Sequence, residues 1–567
     1  MTEFKHIGKI IYALVALALV AVMTVSAYAK GSSLDKSVSQ EYETKLFDTS
    51  GIMTVDIIMD ADEWQEVLDN AIKEEYYQCD VIINGERFSN VGIRAKGNTS
   101  LTNIAKDDTT DRYSFKLKFD EFVEGQTCYG LDKLVLNNNY ADATNMKEAV
   151  IYDMFAYLDA DASLYNYSKI SVNGEYFGVY LALEGVEDSF LLRNYGTESG
   201  VLYKPENMDF GDGPSDKRKS DWKPDWEKEQ NEGNESEESK PEGNKPEGFD
   251  FGNGKPEGMP GGFDFENVKP GGGGPGGGGP GGFSGGGGSN LEYTDDDLDS
   301  YSTIWNGEIS PTSGKDHKRV VKALKAISEG DLSTIEEYMD VDNLLKYMAV
   351  HEFAVNSDSL SGGMAHNYYL YESNGKLNII PWDYNLSFGG MGNAGRMGPS
   401  ETGGSHTAPG APIAEGDSNG RPTSDNSSAT SMINDPIDDS WQSTSFFDVL
   451  LENEEYNARY HEYLQKLVDY VENGRYEELT TRLHEQIDEL VKTDPTAFYA
   501  YDEYTAATTV LDTVVKLRAE SIKGQIDGTI PSTSEGQKED ESSLIDGSGI
   551  DTSVMGTMNA GGGDHKR

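Results

Sequence analysis

Two aspartates bracket the stretch of this chain whose residue types best suit phosphate chemistry. Asp358 lies in Asn356-Ser-Asp358, and Asp383 in Pro381-Trp-Asp383-Tyr-Asn-Leu-Ser-Phe388-Gly389. Between them runs His366-Asn367-Tyr-Tyr-Leu-Tyr371, an aromatic segment that reads as a strand, then an Asn374-Gly375 turn and a second strand from Lys376 to Pro381. A hairpin sets its two ends side by side, so the carboxylate before it and the carboxylate after it emerge together. That is how a divalent cation is brought to a phosphate. Spacing alone leaves a bland alternative equally open, in which Asp358 caps one turn, Asp383 opens another, and both are solvated.

Cations to match them lie on the cleanest strand. Over residues 113–119 the period of two puts Tyr113, Phe115, Leu117 and Phe119 on one face, and Ser114, Lys116 and Lys118 on the other. The two lysines are either ordinary solvated residues or ligands for an anion. Residues 145–158 read as a helix, with Met146, Val150, Met154 and Leu158 at four-residue spacing. Its Asn145-x-x-Glu148 also spells a capping box. Further strands are read over 53–59, 79–83, 88–94, 167–172 and 176–183, an acidic amphipathic helix over 60–73, and two or three helices over 446–523.

Other motifs fail their context. His351, His461 and His484 each precede a glutamate, but none opens H-E-x-x-H. Ser284 sits in a G-x-S-x-G that is buried in a glycine tract, and the Gly390-x-Gly392-x-x-Gly395 run has no helix after it. Asp295, Asp297 and Asp299 lack the glycine and the glutamate of a calcium loop.

The chain has 567 residues, with 47 Lys+Arg against 99 Asp+Glu and a formal charge of −52, which repels nucleic-acid backbones. Its 63 glycines are concentrated in blocks. Residues 205–290, 391–432 and 528–567 are too polar and Gly-rich to build a core, and are expected to be disordered. Lys5 and Lys9, an apolar run over 10–25 and Ala27-Tyr28-Ala29 form an export signal, with cleavage expected after Ala29. An uncleaved anchor is the alternative, and membrane contact is expected only through this segment. Export permits a Cys79–Cys128 disulfide, and two buried free thiols fit the sequence equally.

The hairpin region resembles the spore-coat protein H (CotH) kinase family, which carries an N-x-D segment, an N-Y-Y-L-Y strand and a P-W-D-x-(N/D)-x-x-F-G block. Upstream, residues 93–100 (Ile-Arg-Ala-Lys-Gly-Asn-Thr-Ser) are similar to the family's R-G-R-G-N-S, and 113–120 to its S-Y-K-I-K-F-D. Met146-Lys-Glu148, 173–184 and 201–204 also fit. The resemblance spans roughly residues 50–204 and 291–525.

It implies an α+β, bilobal atypical protein-kinase-like fold, with a β-rich N-terminal lobe, a helical C-terminal region and long disordered Gly/Pro-rich insertions. In that scheme residues 1–29 are the signal and 30–49 a linker. The N-terminal lobe is 50–204, the insert 205–290, the catalytic core with its metal site 291–390, and a loop 391–432. The helical part is 433–527 and the tail 528–567.

The same resemblance implies ATP as donor with Mg²⁺ (Mn²⁺ being an alternative). Lys116, or Lys118, would hold phosphates, with Glu148 fixing the lysine. Gly97, Asn98 and Ser100 would cradle phosphates, and Lys96 would add a point charge there. Glu184 would lie at the adenine hinge. Asp358 would be catalytic base or metal ligand, Asn367 a metal amide and Asp383 the main metal ligand. The implied activity is transfer of the γ-phosphoryl group to Ser or Thr of cell-surface or spore-coat proteins. The alternative is a non-catalytic surface or coat protein that uses the same fold as a binding module; calcium-dependent carbohydrate binding rests on acidity alone.

Overall fold

The computed structural model of the chain describes residues 39–196, 200–205, 289–362, 365–391 and 427–558. The export signal, nearly all of the 205–290 insert and most of the 391–432 loop lie outside the described residues.

Seven strands form a closed barrel in the order β1-β2-β3-β4-β5-β7-β6. They are β1 (Met53–Ile58), β2 (Tyr77–Ile83), β3 (Glu86–Lys96), β4 (Ser114–Lys118), β5 (Lys133–Asn137), β6 (Tyr165–Val172) and β7 (Glu175–Glu184). Neighbours pair antiparallel, and closure comes from the parallel pair β1–β6, with Met53 opposite Ser168. Inward alternation fills the lumen with Val55, Val81, Ile93, Phe115, Leu117 and Leu136, all essentially inaccessible to water.

The outward face matters for function. Arg94 pairs with Lys116 and Lys96 with Ser114 across β3–β4, so all four side chains leave the barrel on one side. That side turns toward helix α1 (Lys147–Tyr157), which is buried along almost its whole length. Opposite lies a three-stranded sheet, β10-β9-β8, built from β8 (Val201–Tyr203), β9 (Tyr368–Ser373) and β10 (Lys376–Pro381). Helices α2 (Val341–Ala354), α3 (Glu454–Glu472), α4 (Arg475–Lys492) and α5 (Tyr501–Asp527) complete a helical C-terminal region. Among the described residues no helix is long and apolar enough to cross a membrane.

Three sequence readings change, and one that was left open is decided. Residues 528–558 are not a disordered tail. They carry a helix (Ser534–Glu539) and a 3-10 turn (Thr552–Met555), and bury Ile530 and Met555, because sparse apolar anchors suffice where a folded surface already exists. The end of the expected linker folds too, as a turn of helix at Glu41–Lys45 that buries Tyr42. Asn145 does not cap α1. It sits in the left-handed region (φ 52°) while Thr144 Oγ1 accepts from Met146 N–H and Asp142 Oδ2 from Lys147 N–H. Cys79 and Cys128 are both buried free thiols.

Candidate active site

Lys96, the last residue of β3, donates from Nζ to Asn137 Oδ1 at 2.8 Å. The nitrogen of the same amide donates to Glu148 Oε2 at 2.8 Å. One buried asparagine at the end of β5 thus couples the barrel's lysine to the helix carboxylate. With Asn145 excluded as a cap, Glu148 is free to serve this contact. Lys96 also lies over the Trp382 ring, 5.6 Å from its centroid, which draws β3 to the end of β10. Desolvation pushes the Lys96 ammonium down from its ordinary value, opposed by the negative charges of Asp383 and Glu148. Burial, then the charge of Asp383, pushes the Glu148 carboxyl up to about 7.

The hairpin brings its two ends together as its pattern predicts. Tyr368 opposite Pro381 is the last pair of the ladder, so Asn367 and Trp382, then His366 and Asp383, follow on the same end. Both Asn367 (φ 57°) and Asp383 (φ 63°) take the left-handed conformation that turns the chain out of the strands. Asn367 donates from its amide to the Asp358 carbonyl at 2.7 Å and to Asp358 Oδ2 at 3.1 Å, while His366 Nε2 lies 2.7 Å from Asp358 Oδ1. Asn356 closes the ring by donating to the main-chain carbonyl of Asp383 at 3.3 Å.

The C-terminal end of α2 steadies both turns. His351 Nε2 meets the hydroxyls of Ser361 and Ser359 at 2.7 and 2.9 Å, holding the Asp358 turn. Phe388 N–H donates to Ala354 O at 2.9 Å, holding the segment after Asp383.

This geometry leaves the Asp383 carboxylate without a hydrogen bond or ion pair among the described residues, half-exposed, with Lys96 and Glu148 in its field. Asn367 spends its N–H groups on Asp358, so its amide oxygen is the atom left to offer. A carboxylate and an amide oxygen are hard donors that suit Mg²⁺, which commonly takes one or two protein ligands and completes its shell from phosphates and water. Consistent with so sparse a donor set, no cluster of three or more His, Cys, Asp or Glu that could hold a metal occurs among the described residues.

The other expected residues fall in different places. Lys116 lies in the field of Arg94, Lys133 and Lys204, with Glu74 as the opposing acid, and among the described residues makes no hydrogen bond or ion pair. Desolvation and those cations push its ammonium far down. Asp383 and Glu148 act on Lys96 instead. Lys118 is turned away to Asp120 and Glu121, at 3.9 and 3.4 Å. Gly97, Asn98 and Ser100 form the turn directly after Lys96, with Gly97 at φ 136°.

Glu184 is committed to structure. Its carboxylate takes Tyr42 OH (2.6 Å), Leu164 N–H (3.1 Å) and both arms of Arg193 (2.9 and 2.6 Å). Its own N–H goes to Leu164 O, so the residue offers no free main-chain donor for a base. Sequence reasoning missed Asn137 and gave His366 no role. An asparagine ending a buried strand, and a histidine next to Asn367, were the available signals.

A family model described as CotH kinase protein matches residues 93–242 and 287–522. None of the curated proteins compared with the chain matches it.

Proposed function

The chain belongs to the CotH kinase family, and from that premise we propose that it is an exported phosphotransferase that moves the γ-phosphoryl group of ATP to Ser or Thr hydroxyls of surface or spore-coat proteins. The barrel serves as the nucleotide lobe of a kinase-like pair, and the helical region carries the acceptor side. The observation that carries this reading is the run Lys96–Asn137–Glu148 set against an unengaged Asp383 carboxylate. A scaffold gains little from setting a half-buried lysine and a buried glutamate around one amide, since each desolvated charge is costly.

Phosphoryl transfer asks the protein for position and charge. Lys96 neutralises phosphate oxygens from β3, held in reach by Asn137, while Lys116, on the same face, regains its charge when phosphate oxygens lie beside it. Asp383 and the Asn367 oxygen would hold Mg²⁺, which neutralises the β- and γ-phosphates when bound. Asp358, 6% exposed, keeps lone pairs on both oxygens despite its two partners, and orients the acceptor hydroxyl. His366 and Asn367 fix its rotamer.

Incubation with γ-labelled ATP, Mg²⁺ and a mixed protein acceptor tests the reading. The wild-type chain is expected to transfer label and Asp383→Asn to lose transfer by about 10²-fold or more. Equal transfer by the variant, or no nucleotide binding by the wild type, would sink it.

A further inference from the structure

Residues 545–558 lie beyond the segment matched by the family model, yet they touch both the loop before Glu148 and the loop after Asp383. Ile545 and Asn434 exchange two hydrogen bonds, at 2.8 and 3.0 Å, and Gly547 N–H donates to Thr430 Oγ1 at 3.0 Å. These contacts pin the segment 430–434, close to where the described residues resume. The 3-10 turn Thr552–Met555 then packs on α5. Past it, Met555 O accepts from Ala143 N–H at 3.0 Å, in the loop that leads from β5 into α1 and Glu148. Finally Met558 N–H donates to Gly390 O at 3.1 Å, seven residues after Asp383.

The contacts are fitted as well as numerous. Met555 is fully buried, and Met558 packs with Leu386 and Met391 against the barrel core. Gly556 takes φ 90°, and a Cβ there would stand 2.5 Å from Ala141 O, so only glycine lets the two main chains approach. The chain therefore crosses from the helical region to the barrel at a built crossing. It joins the loop before Glu148 to the loop after Asp383.

We propose that residues 545–558 form a positioning strap that sets the Glu148 helix against the Asp383 turn, and so the spacing of the cation and carboxylate poles of the cleft. Met558 and Gly556 act through Ala143 and Gly390 and touch no substrate. The catalytic consequence rests on the phosphotransferase reading; the mechanical one does not.

Two variants of the full chain test it. Met558→Pro deletes the N–H that bonds Gly390 O together with the side chain packed near Leu386 and Met391, and Gly556→Val forces the crossing apart. Peptide-resolved amide exchange is read at 141–148 and 386–391, alongside thermal melting and transfer of γ-labelled phosphate. The strap predicts exchange faster by about tenfold in both windows, from the loss of one hydrogen bond's stabilisation, with a melting point near wild type for Met558→Pro. It also predicts kcat lowered on the order of tenfold with KM for ATP little changed. Should Gly556→Val fail to fold, Met558→Pro alone decides. Unchanged exchange in both windows overturns the strap. If the wild type transfers no phosphate, the functional reading fails, and the exchange data still judge the strap.

Discussion

Asn367 donates one amide group to two acceptors of Asp358, its main-chain carbonyl at 2.7 Å and its carboxylate at 3.1 Å. The contact fixes the amide's orientation: its nitrogen faces Asp358, which leaves the oxygen uncommitted by this pair. It also brings together two residues nine apart in sequence, a wider gap than an ordinary protein kinase leaves between its catalytic Asp and its metal Asn. The extra residues form the turn that His351 holds through Ser359 and Ser361.

Asn367→Ala is therefore expected to act twice. It leaves a buried carbonyl and carboxylate short of a donor, which costs about 1–3 kcal/mol in denaturant titration. It also raises the Mg²⁺ concentration needed for half-maximal transfer. Loss of stability with an unchanged Mg²⁺ requirement would restrict Asn367 to a structural role.

Much of this was legible in residue patterns, and the failures have physical causes. The alternation of 113–119 and the Asn374-Gly375 turn report local geometry, and both elements formed as read. Which lysine meets Glu148 is a long-range matter. Lys96 and Lys116 share one face of adjacent strands, and only the register, together with Asn137 from a third strand, assigns the contact to Lys96. Asn145 carries the letters of a cap but takes a left-handed φ, a choice made by Asp142 and Thr144 upstream. Barrel closure through β1–β6 joins segments more than a hundred residues apart, beyond the reach of any local periodicity. The 528–558 segment looks disordered in composition because its few apolar residues are anchors on a surface that other segments build.

The three lysines should separate in kinetics. Lys96→Ala is expected to lower kcat/KM by about 10²–10³, since it removes a phosphate cation held beside the metal pole. Lys116→Ala should raise KM for ATP by roughly tenfold, because Lys116 lies on the same face and among the described residues has no ion-pair partner to hold it back. Lys118→Ala, whose ammonium is already taken by Asp120 and Glu121, should stay within about twofold. A Lys118 effect as large as that of Lys96 would reverse the assignment.

Glu184 should behave as a stability residue. Glu184→Ala strands the Arg193 guanidinium and the Tyr42 hydroxyl in a buried site, at a cost of about 3–5 kcal/mol in unfolding free energy. Nucleotide affinity of the folded fraction is expected to be unchanged. Replacing the pair together, Glu184→Leu with Arg193→Met, should recover most of the loss, because no uncompensated charge remains. Selective loss of ATP binding in Glu184→Ala would instead place the residue at the nucleotide.

The Glu148 carboxyl supplies a signed pH dependence. Burial first and Asp383 second raise it from 4.5 to about 7 in the folded chain. Between those values the folded chain keeps a proton that the unfolded chain has released, so stability falls as pH rises. The contribution is complete below about pH 4.5 and is lost as pH climbs through 7. Thermal melts of the nucleotide-free chain should show this decline, and Glu148→Gln, which cannot titrate, should flatten it. Asp383→Asn removes the negative neighbour, so the Glu148 pKa should drop, and the decline should be smaller and end at lower pH. An identical slope in wild type and Glu148→Gln would assign the titration to another group, and a decline unmoved by Asp383→Asn would uncouple Glu148 from Asp383.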